Sequence, residues 1–352
     1  MSGPPVSSPI GVAVVGAGYM GAIHARTYAA EPRACLLGVF DARPDTAQSV
    51  AEEVGATAFA SLDELLERRD VEAVSICTPD AGHVQPTLAA LAAGKHVLLE
   101  KPIATTMADA DRIAAAAERA AGQLMVAQIV RFDPRYVRVK RMLDDGALGD
   151  PISLHARRIT SSASQDNLRG RVSVQLFLGI HDYDVIRWLT GCEFVQVHTE
   201  ARSGLLASQG YAVEDVAFTV GRLHGGAVAC VESGWVLPRE IPRGGDIKLE
   251  VIGTRGTARV DLVEQGLAVC RTGERYERPS FGHAIGEEIV DFLEGIAAGR
   301  QPSVTAADGR ASLQVALAAI RSAELGRPVS PDLLCRSAVM ADGCCPPTIA
   351  GS

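Results

Sequence analysis

Residues 12–21 read VAVVGAGYMG, and this short stretch decides how the first part of the chain folds. An apolar run typical of a buried strand is followed by Gly16, Gly18 and Gly21 in the spacing GxGxxG. The first glycine of such a turn permits the tight bend, the second lets a pyrophosphate approach the backbone, and the third packs helix on strand. The phosphate then lies at a helix N-terminus, where unpaired N–H groups and the helix dipole favour an anion. The stretch therefore predicts a dinucleotide-binding turn.

An acidic residue stands where this fingerprint requires one. The next apolar run, CLLGVFD, ends at Asp41, which follows Gly21 by 20 residues and is expected to accept hydrogen bonds from the adenosine ribose. A carboxylate there repels a 2′-phosphate, so NAD is favoured over NADP. Arg43 either offsets part of that repulsion or is a solvated surface arginine. The cofactor contacts predicted in this region are Gly16, Gly18, Tyr19, Met20, Gly21, Asp41 and Arg43.

The rhythm of apolar runs divides the chain into two domains of different architecture. From residue 10 to about residue 130, short apolar runs alternate with helical ones, which indicates a parallel sheet covered on both faces. Beyond that point most runs read as consecutive strands joined by glycine-containing turns, which indicates an antiparallel or mixed meander, and two helical runs close the domain. We therefore expect an α/β chain with a Rossmann dinucleotide-binding domain at 10–130 and an α+β domain at 131–334. Residues 1–9 are expected to form a flexible leader and residues 335–352 a disordered tail.

Composition excludes several classes of function. The chain has 352 residues, of which 47% are apolar and 22% charged, and its net charge is −8. An acidic chain without a concentrated basic surface is not expected to bind nucleic acid. No apolar run is long enough for a bilayer, and the N-terminus lacks the regions of a signal peptide, so we expect a cytoplasmic protein with no membrane partner. The eight cysteines form no CxxC pair, and no histidine or carboxylate cluster has metal-ligand spacing, so no metal is proposed.

Residues 93–102 read AGKHVLLEKP and follow SICTPDAGH, at residues 75–83. Together with the glycine turn, and with RFDPRY, GIHDYDVIRWLTG and VIGTRGTARV further on, this pattern resembles the Gfo/Idh/MocA family of oxidoreductases over nearly the whole chain. The resemblance implies a C-terminal α+β domain with a large, mostly antiparallel open sheet that often packs in homodimers or homotetramers. It also implies the interconversion of a secondary alcohol and a ketone on a sugar, a cyclitol such as inositol, or a related polyol.

The resemblance assigns roles to individual residues. Thr78, Pro79, His83, Glu100 and Lys101 are placed beside the cofactor. Lys101 corresponds to the active-site lysine, and since ligands bind at the carboxyl ends of strands in an open parallel sheet, its ammonium is expected to face substrate, with Glu100 helping to hold it. The family's catalytic histidine, which titrates near neutral pH and helps to move the hydroxyl proton, corresponds to His181. The remaining catalytic candidate, which either orients that imidazole or caps the helix, is Asp184.

One position departs from the family pattern. Sugar and inositol dehydrogenases of the family commonly carry an aspartate four residues before the catalytic histidine, and here that position is Phe177. Either Lys101 and His181 suffice, or another carboxylate substitutes, with Asp166 as one candidate, or the substrate differs from inositol. The polar loop around Asp166 either reads a polyol or a phosphate or is merely solvated, and the arginines that flank it are Arg157, Arg158, Arg169 and Arg171. Asp166 and Arg158 are the predicted substrate contacts.

Two other functions stay open at the level of sequence. An NAD-retaining glycosidase or epimerase would use the same cofactor but regain its hydride in each cycle. A non-catalytic, cofactor-binding regulatory protein is compatible with an aromatic residue at position 177.

Overall fold

The computed structural model describes residues 8–241, 245–261, 266–271, 274–279 and 283–334. Two sheets organise the chain, a six-stranded sheet in the first domain and an eight-stranded sheet in the second. Most of the predicted leader and all of the predicted tail lie outside the described residues. Within the described part of the chain, no helix is both long and apolar enough to cross a bilayer.

The first sheet is parallel throughout and has the strand order β3-β2-β1-β4-β5-β6. Its strands are β1 (Ile10–Val15), β2 (Ala34–Phe40), β3 (Thr57–Ala58), β4 (Ala73–Ile76), β5 (His96–Glu100) and β6 (Leu124–Ala127). Strands β1, β4 and β6 are buried at every residue, because helices cover both faces of the sheet. The order reverses between β1 and β4, and ligands of doubly wound sheets bind at this switch point.

Five helices connect these strands. They are α1 (Tyr19–Ala30), α2 (Pro44–Val54), α3 (Leu62–Glu67), α4 (Val84–Ala92) and α5 (Met107–Arg119). Thr106 begins α5 by accepting a hydrogen bond from the Asp109 N–H, and Gly55 ends α2 in the left-handed conformation. These local signals fix where α5 begins and where α2 ends.

The second sheet has the order β14-β13-β12-β11-β7-β10-β9-β8, and only its β7–β10 pair is parallel. Its strands are β7 (Pro151–Ser161), β8 (Phe194–Arg202), β9 (Val216–Leu223), β10 (Val228–Leu237), β11 (Gly245–Gly253), β12 (Gly256–Asp261), β13 (Gly266–Arg271) and β14 (Glu274–Pro279). One face packs on helices, and β9 shows the expected alternation of buried and exposed residues. The predicted fold class, a Rossmann domain followed by a mostly antiparallel α+β domain, is confirmed.

The helices that follow the first domain differ in what they pack against. They are α6 (Pro134–Asp144), α7 (Gln165–Leu168), α8 (Ile180–Thr190), α9 (Ala284–Ala297) and α10 (Ala306–Leu325). The second sheet is contacted by α6, α8 and α10, whereas α9 packs on α1, and α10 also contacts α5 and β6. A π-helical turn, Gln175–Gly179, leads directly into α8. The N–H of Val126 in β6 donates to the carbonyl of Val304, and a Cβ at Gly309 would lie 2.9 Å from the Val126 side chain. The closing helices, predicted as part of the second domain, therefore pack against both domains.

Candidate active site

The glycine turn between β1 and α1 leaves room for a phosphate at one position and is closed at the other two. Gly16 has φ +93°, and a Cβ there would lie 2.7 Å from the Cys77 carbonyl carbon. A Cβ at Gly21 would lie 1.7 Å from the Gly16 oxygen, so this glycine permits the close packing of helix on strand. A Cβ at Gly18 would meet nothing within 4 Å, and the helix begins there without a side-chain cap or an acidic residue in its first turn. The helix N–H groups are thus open to an anion.

The residues after the turn differ in exposure. Tyr19 is 78% exposed, whereas Met20 is half-buried against the core. Asp41 lies just beyond the end of β2, and its two carboxylate oxygens accept hydrogen bonds from the N–H groups of Ala17, at 2.7 Å, and Arg43, at 2.9 Å. The Arg43 guanidinium is exposed and lies 3.6 Å from the same carboxylate. Asp41 therefore fixes the glycine turn, and it stands at the strand end where the sequence predicts the ribose contact.

The wall opposite the glycine turn is formed by Thr78 and Pro79, which follow β4. The Thr78 hydroxyl oxygen is buried and has no hydrogen-bond partner. His83 lies behind this wall, with its ring nitrogens 2.9 Å from the Thr78 carbonyl oxygen and 2.7 Å from that of Pro102. Burial lowers the pKa of His83, and a neutral ring has one N–H to donate. The structure thus places His83 between two segments that border the cleft, as a link rather than a surface group.

Lys101 follows β5 at the carboxyl edge of the first sheet, where the sequence placed it, and its peptide bond to Pro102 is cis. Glu100 holds the lysine main chain rather than its ammonium, because its carboxylate accepts the Lys101 N–H at 3.0 Å. The other oxygen of Glu100 lies 3.4 Å from Nε2 of His24. Burial alone would raise the pKa of Glu100, but the adjoining His24 imidazole holds it below its usual value. A buried carboxylate therefore anchors the strand end that presents the lysine.

The Lys101 ammonium contacts a residue of the second domain. Its Nζ donates to the carbonyl oxygen of Phe177 at 3.1 Å and lies 4.1 Å from the centre of the Phe177 ring. Burial lowers the pKa of Lys101, with Glu100 and Asp80 opposing that effect. The Phe177 ring in turn contacts Trp235, with 5.9 Å between ring centres. Since Phe177 belongs to the π-helical turn, its contact with Lys101 joins the end of β5 to the start of α8.

His181 stands in the first turn of α8, near the lysine. Its Nδ1 is buried and has no hydrogen-bond partner. Burial lowers the pKa of His181 well below its usual value, and the positive charges of Lys101 and Arg158 lower it further. The imidazole is therefore neutral at physiological pH and holds a lone pair that can accept a proton.

The structure directs the other predicted polar residues away from this imidazole. Both oxygens of Asp184 receive N–H bonds from Arg131, each at 2.7 Å, and Ser312 donates to one of them. The Asp184 carboxylate thus belongs to a buried ion pair. Asp166 forms an exposed ion pair with Arg239, at 2.8 Å. Neither carboxylate is placed to orient His181.

Arg158 lies close enough to the site to influence its electrostatics but is itself fully engaged. Its guanidinium makes a two-pronged ion pair with Asp182, at 2.8 and 2.9 Å, and both side chains are buried. Burial opposes the charged form, yet the Asp182 carboxylate raises the pKa of Arg158 above its usual value. Arg158 therefore contributes a permanent positive charge near Lys101 and His181 rather than a free hydrogen-bond donor.

Sequence reasoning missed the groups that hold the π-helical turn. Gln175 accepts a hydrogen bond from the Tyr183 hydroxyl, whose oxygen also lies 2.9 Å from the Thr219 hydroxyl and can accept its proton. Thr219 lies 2.9 Å from the hydroxyl of Thr199 on the neighbouring strand. These are common residue types spread over several elements, so no local spacing could have identified them. The buried polar chain fixes the turn that carries Phe177.

The residues present fit a dinucleotide. The open Gly18, the uncapped start of α1, the carboxylate after β2 and the orphaned Thr78 hydroxyl line the carboxyl edge of one parallel sheet. Among the described residues, no group of three or more metal-ligating side chains is arranged to hold an ion. A Rossmann domain whose cofactor edge meets a lysine and a neutral histidine defines a nicotinamide-dependent oxidoreductase.

Comparisons with known proteins extend this class to a family. A family model described as "Oxidoreductase family, NAD-binding Rossmann fold" matches residues 10–128, and one described as "GFO/IDH/MocA C-terminal domain" matches residues 136–259. The chain belongs to the Gfo/Idh/MocA family. Inositol 2-dehydrogenase 2 of Saccharopolyspora erythraea is 32% identical over 94% of this chain and 98% of its own length.

Two solved structures are similar over nearly their whole length. The scyllo-inositol dehydrogenase of Lactobacillus casei, solved with NAD(H) and scyllo-inositol, has a TM-score of 0.80 and 26% identity, covering 92% of this chain and 99% of its own. A UDP-N-acetylglucosamine 3-dehydrogenase from Acidithiobacillus ferrooxidans has a TM-score of 0.79 and 30% identity, covering 90% and 98%. The predicted family, the predicted oxidoreductase activity and the predicted NAD cofactor are confirmed by these matches.

Proposed function

We propose that this protein oxidises a secondary alcohol of a cyclitol, sugar or related polyol to the ketone, with Lys101 and His181 acting at the reacting oxygen. The observation that carries the proposal is that two groups lie close together: the ammonium of the half-buried Lys101 at the cofactor edge of the first sheet, and the neutral imidazole of His181 from the second domain, whose Nδ1 has no hydrogen-bond partner. Bound NAD supplies the acceptor for the hydride that leaves the carbinol carbon.

Lys101 and His181 have different roles at the alcohol oxygen of the substrate. Lys101 donates a hydrogen bond to the alcohol oxygen and stabilises negative charge as the O–H proton leaves. The neutral imidazole of His181 accepts that proton, so the alcohol loses a hydride from carbon and a proton from oxygen, and a ketone forms. In the reverse direction the imidazolium returns the proton to the oxygen. We assign no catalytic role to Asp184, because its carboxylate is committed to Arg131.

The cofactor contacts are proposed along the edge described above. The turn at Gly16, Gly18 and Gly21, with Tyr19 and Met20, would hold the pyrophosphate, and Asp41 would bind the adenosine ribose, with Arg43 at its rim. The wall at Thr78 and Pro79 would line the nicotinamide end. We propose that His83 and Glu100 act through the segments they hold rather than by direct contact.

An inositol-like polyol is the leading substrate, supported by the named activities of the Saccharopolyspora and Lactobacillus relatives. A nucleotide sugar is the second candidate, supported by the Acidithiobacillus relative, which is 30% identical. Purified protein with NAD should be offered inositols, hexoses and UDP-N-acetylglucosamine, and NADH formation should be followed by absorbance. Net NADH with any of them supports the proposal. Turnover of a glycoside or an epimer without net NADH would instead indicate the hydride-retaining alternative, and NAD binding without any turnover would indicate a regulatory protein.

We further propose a homodimer or homotetramer in the cytoplasm. The outer face of the second sheet exposes Phe218, Val220 and Val228 on adjacent strands, and apolar side chains clustered on an open face favour association. Cys77 and Cys192 are free thiols, as expected in a reducing compartment. Light scattering on the purified protein tests the assembly: a monomer at micromolar concentration would contradict it, and Val220→Lys should weaken it.

A further inference from the structure

A cavity of about 520 Å³ lies in the second domain, and the reaction as proposed leaves it without a role. It opens between the turn that precedes the π-helical segment and the loop between β8 and β9. Its polar lining includes Arg171, Ser173, Ser203 and Glu214, and its apolar lining includes Val213. Ligand pockets for small molecules have volumes of about 300 to 1,000 Å³, so the space is much larger than one hydroxyl group requires.

The cavity is adjacent to the reacting groups rather than remote from them. Ser173 lies just before the helical segment that carries Phe177 and His181. The Nε of Arg171 lies 3.9 Å from a carboxylate oxygen of Asp80, which directly follows the Thr78–Pro79 wall. The charge of Arg171 also contributes to the lowered pKa of Lys101. A substrate held at Lys101 would therefore have this cavity within reach of a substituent.

The two charged side chains that line the cavity differ in their hydrogen bonding: both oxygens of Glu214 are paired, whereas Arg171 has few partners. The two carboxylate oxygens of Glu214 accept the Ser173 hydroxyl at 3.0 Å and the Val174 N–H at 3.2 Å, so this acid caps the start of the helical segment. Arg171 is only loosely engaged, since it donates to the Asn167 carbonyl at 3.2 Å and its nearest carboxylate is 3.9 Å away. A guanidinium has five N–H donors, so Arg171 retains donors for a ligand.

The wall of the cavity is held in place before any ligand binds. Asp215 is fully buried, and its carboxylate accepts the N–H groups of Leu205 and Leu206, each at 2.8 Å. The indole N–H of Trp235 donates to the Glu214 carbonyl. Because the loop is fixed by these bonds, little ordering is required when a ligand enters, which favours affinity.

We propose that this cavity is a subsite for an anionic substituent of the substrate, a carboxylate or a phosphate, which Arg171 recognises. This inference rests on the proposed function in one respect, that the alcohol to be oxidised binds at Lys101. The arginine is suited to the task because its planar fork matches the oxygens of both anions. Within the polyol and sugar class of the proposed function, a derivative that carries an anionic substituent is then expected to bind more tightly than its neutral counterpart.

The test is equilibrium binding to the NAD-loaded protein, measured by calorimetry without requiring turnover. The anionic probes are D-glucuronate and D-glucose 6-phosphate, which separate a carboxylate from a phosphate, and the neutral probes are D-glucose and myo-inositol. We expect at least one anionic probe to bind about tenfold or more tightly than the neutral ones, as a charge-assisted hydrogen bond implies. Arg171→Gln should abolish that difference and leave neutral binding unchanged.

Arg169→Gln is the matched control, because this exposed arginine lies two residues away in the same turn but does not line the cavity. It should keep the preference for the anion. Equal binding of anionic and neutral probes by the wild type, or equal losses in the two variants, would overturn the subsite. If neutral polyols bind and yield NADH, and the protein binds the anionic probes no more tightly, the subsite is overturned and the proposed function stands. An anion preference without NADH from any alcohol would instead leave the subsite standing and contradict the proposed function.

Discussion

The ammonium of Lys101 lies 4.1 Å from the centre of the Phe177 ring and donates a hydrogen bond to the carbonyl oxygen of the same residue. One residue thus contacts the lysine through both its ring and its main chain. The ring attracts the cation by its quadrupole, and the carbonyl fixes the direction of one N–H bond. The position where the family resemblance led us to expect an aspartate therefore serves here to hold the lysine, without adding a negative charge.

Removing the lysine should separate binding from chemistry. Lys101→Ala removes a donor aimed at the charge that develops on the alcohol oxygen, so we expect kcat to fall about a hundredfold or more while NAD affinity changes little. Steady-state kinetics and cofactor titration measure the two effects. Lys140→Ala, which removes a lysine on the surface of α6, is the control and should leave both unchanged. Near-normal turnover in Lys101→Ala would show that this lysine is structural.

The presence or absence of a carboxylate at position 177 should determine the pH below which the oxidation rate falls. Burial and the Lys101 charge lower the pKa of His181, so the neutral base persists to low pH and oxidation should retain its rate in mild acid. A carboxylate introduced by Phe177→Asp would lie beside Lys101, offset its charge and stabilise the imidazolium, which raises the pKa and moves the acidic limb of the pH–rate profile upward.

Phe177→Leu is the control for this profile, because it removes the ring without adding charge. We expect its acidic limb to stay near that of the wild type, although its kcat falls as the lysine loses its support. If the limb of Phe177→Asp does not move, the titrating base is a group other than His181.

The carboxylate after β2 should govern cofactor choice. Asp41→Ala removes the acceptor for the ribose and for the Ala17 N–H, so we expect NAD binding to weaken about tenfold to a hundredfold. NADP binding should change less, because the repulsion of its 2′-phosphate disappears at the same time. Titration of both cofactors measures the gap between them. NADP binding as tight as NAD in the wild type would show that Arg43 outweighs the acid, and Arg43→Ala should then restore the preference for NAD.

Asp184 should matter to folding rather than to proton transfer. Asp184→Asn removes the buried partner of Arg131 and leaves it only Asp308, at 3.1 Å, so the free energy of unfolding should fall by up to roughly 3 to 5 kcal/mol, the cost of losing one member of a buried pair. Urea denaturation measures this loss, with Asp166→Asn, at an exposed ion pair, as a control expected to change little. The acidic limb of the pH–rate profile should not move in Asp184→Asn. A shifted limb with unchanged stability would restore Asp184 as a catalytic candidate.

A buried acid in α9 should make the protein less stable at alkaline pH. Glu288 is buried, one of its oxygens has no partner, and burial raises its pKa well above the usual value, aided by Glu100 and Asp291. The folded state therefore holds this proton at pH values where the unfolded chain has released it. Its contribution to stability is complete below the unfolded pKa and is lost as pH rises toward the folded one, with a slope of up to about 1.4 kcal/mol per pH unit.

Glu288→Gln removes this ionisation and should raise Tm at pH 8 more than at pH 5. Glu287→Gln, at the exposed neighbouring position, should show no such dependence. Differential scanning calorimetry at the two pH values provides the comparison. A Tm gain of equal size at both values would contradict the proposed burial of a proton.

The parts of the fold and site that could be predicted are those encoded by local spacing. Gly16, Gly18 and Gly21 lie within one strand–turn–helix unit, and Asp41 lies at the end of the next strand, so their relation is fixed by the geometry of a single motif. Lys101 could be placed because the carboxyl ends of parallel strands share one edge. These inferences needed no contact between distant parts of the chain.

The parts that could not be predicted depend on distant pairings or on the main chain. Asp184 meets Arg131 across 53 residues, and Glu214 meets Ser173 across 41, so no periodicity reveals either pair. The role of Phe177 escaped prediction because half of its contact with Lys101 comes from a carbonyl oxygen, which every residue carries. Its side chain alone suggested only a missing acid.

The Val304 carbonyl pairs with Val126 of β6, and α10, which begins just after it, contacts α5 and β6 of the first domain as well as α8 and β8 of the second. One helix thus bridges the sheet edge that presents Lys101 and the helix that presents His181. This shared support preorganises the ammonium and the imidazole, which a reaction that moves a hydride and a proton over short distances requires.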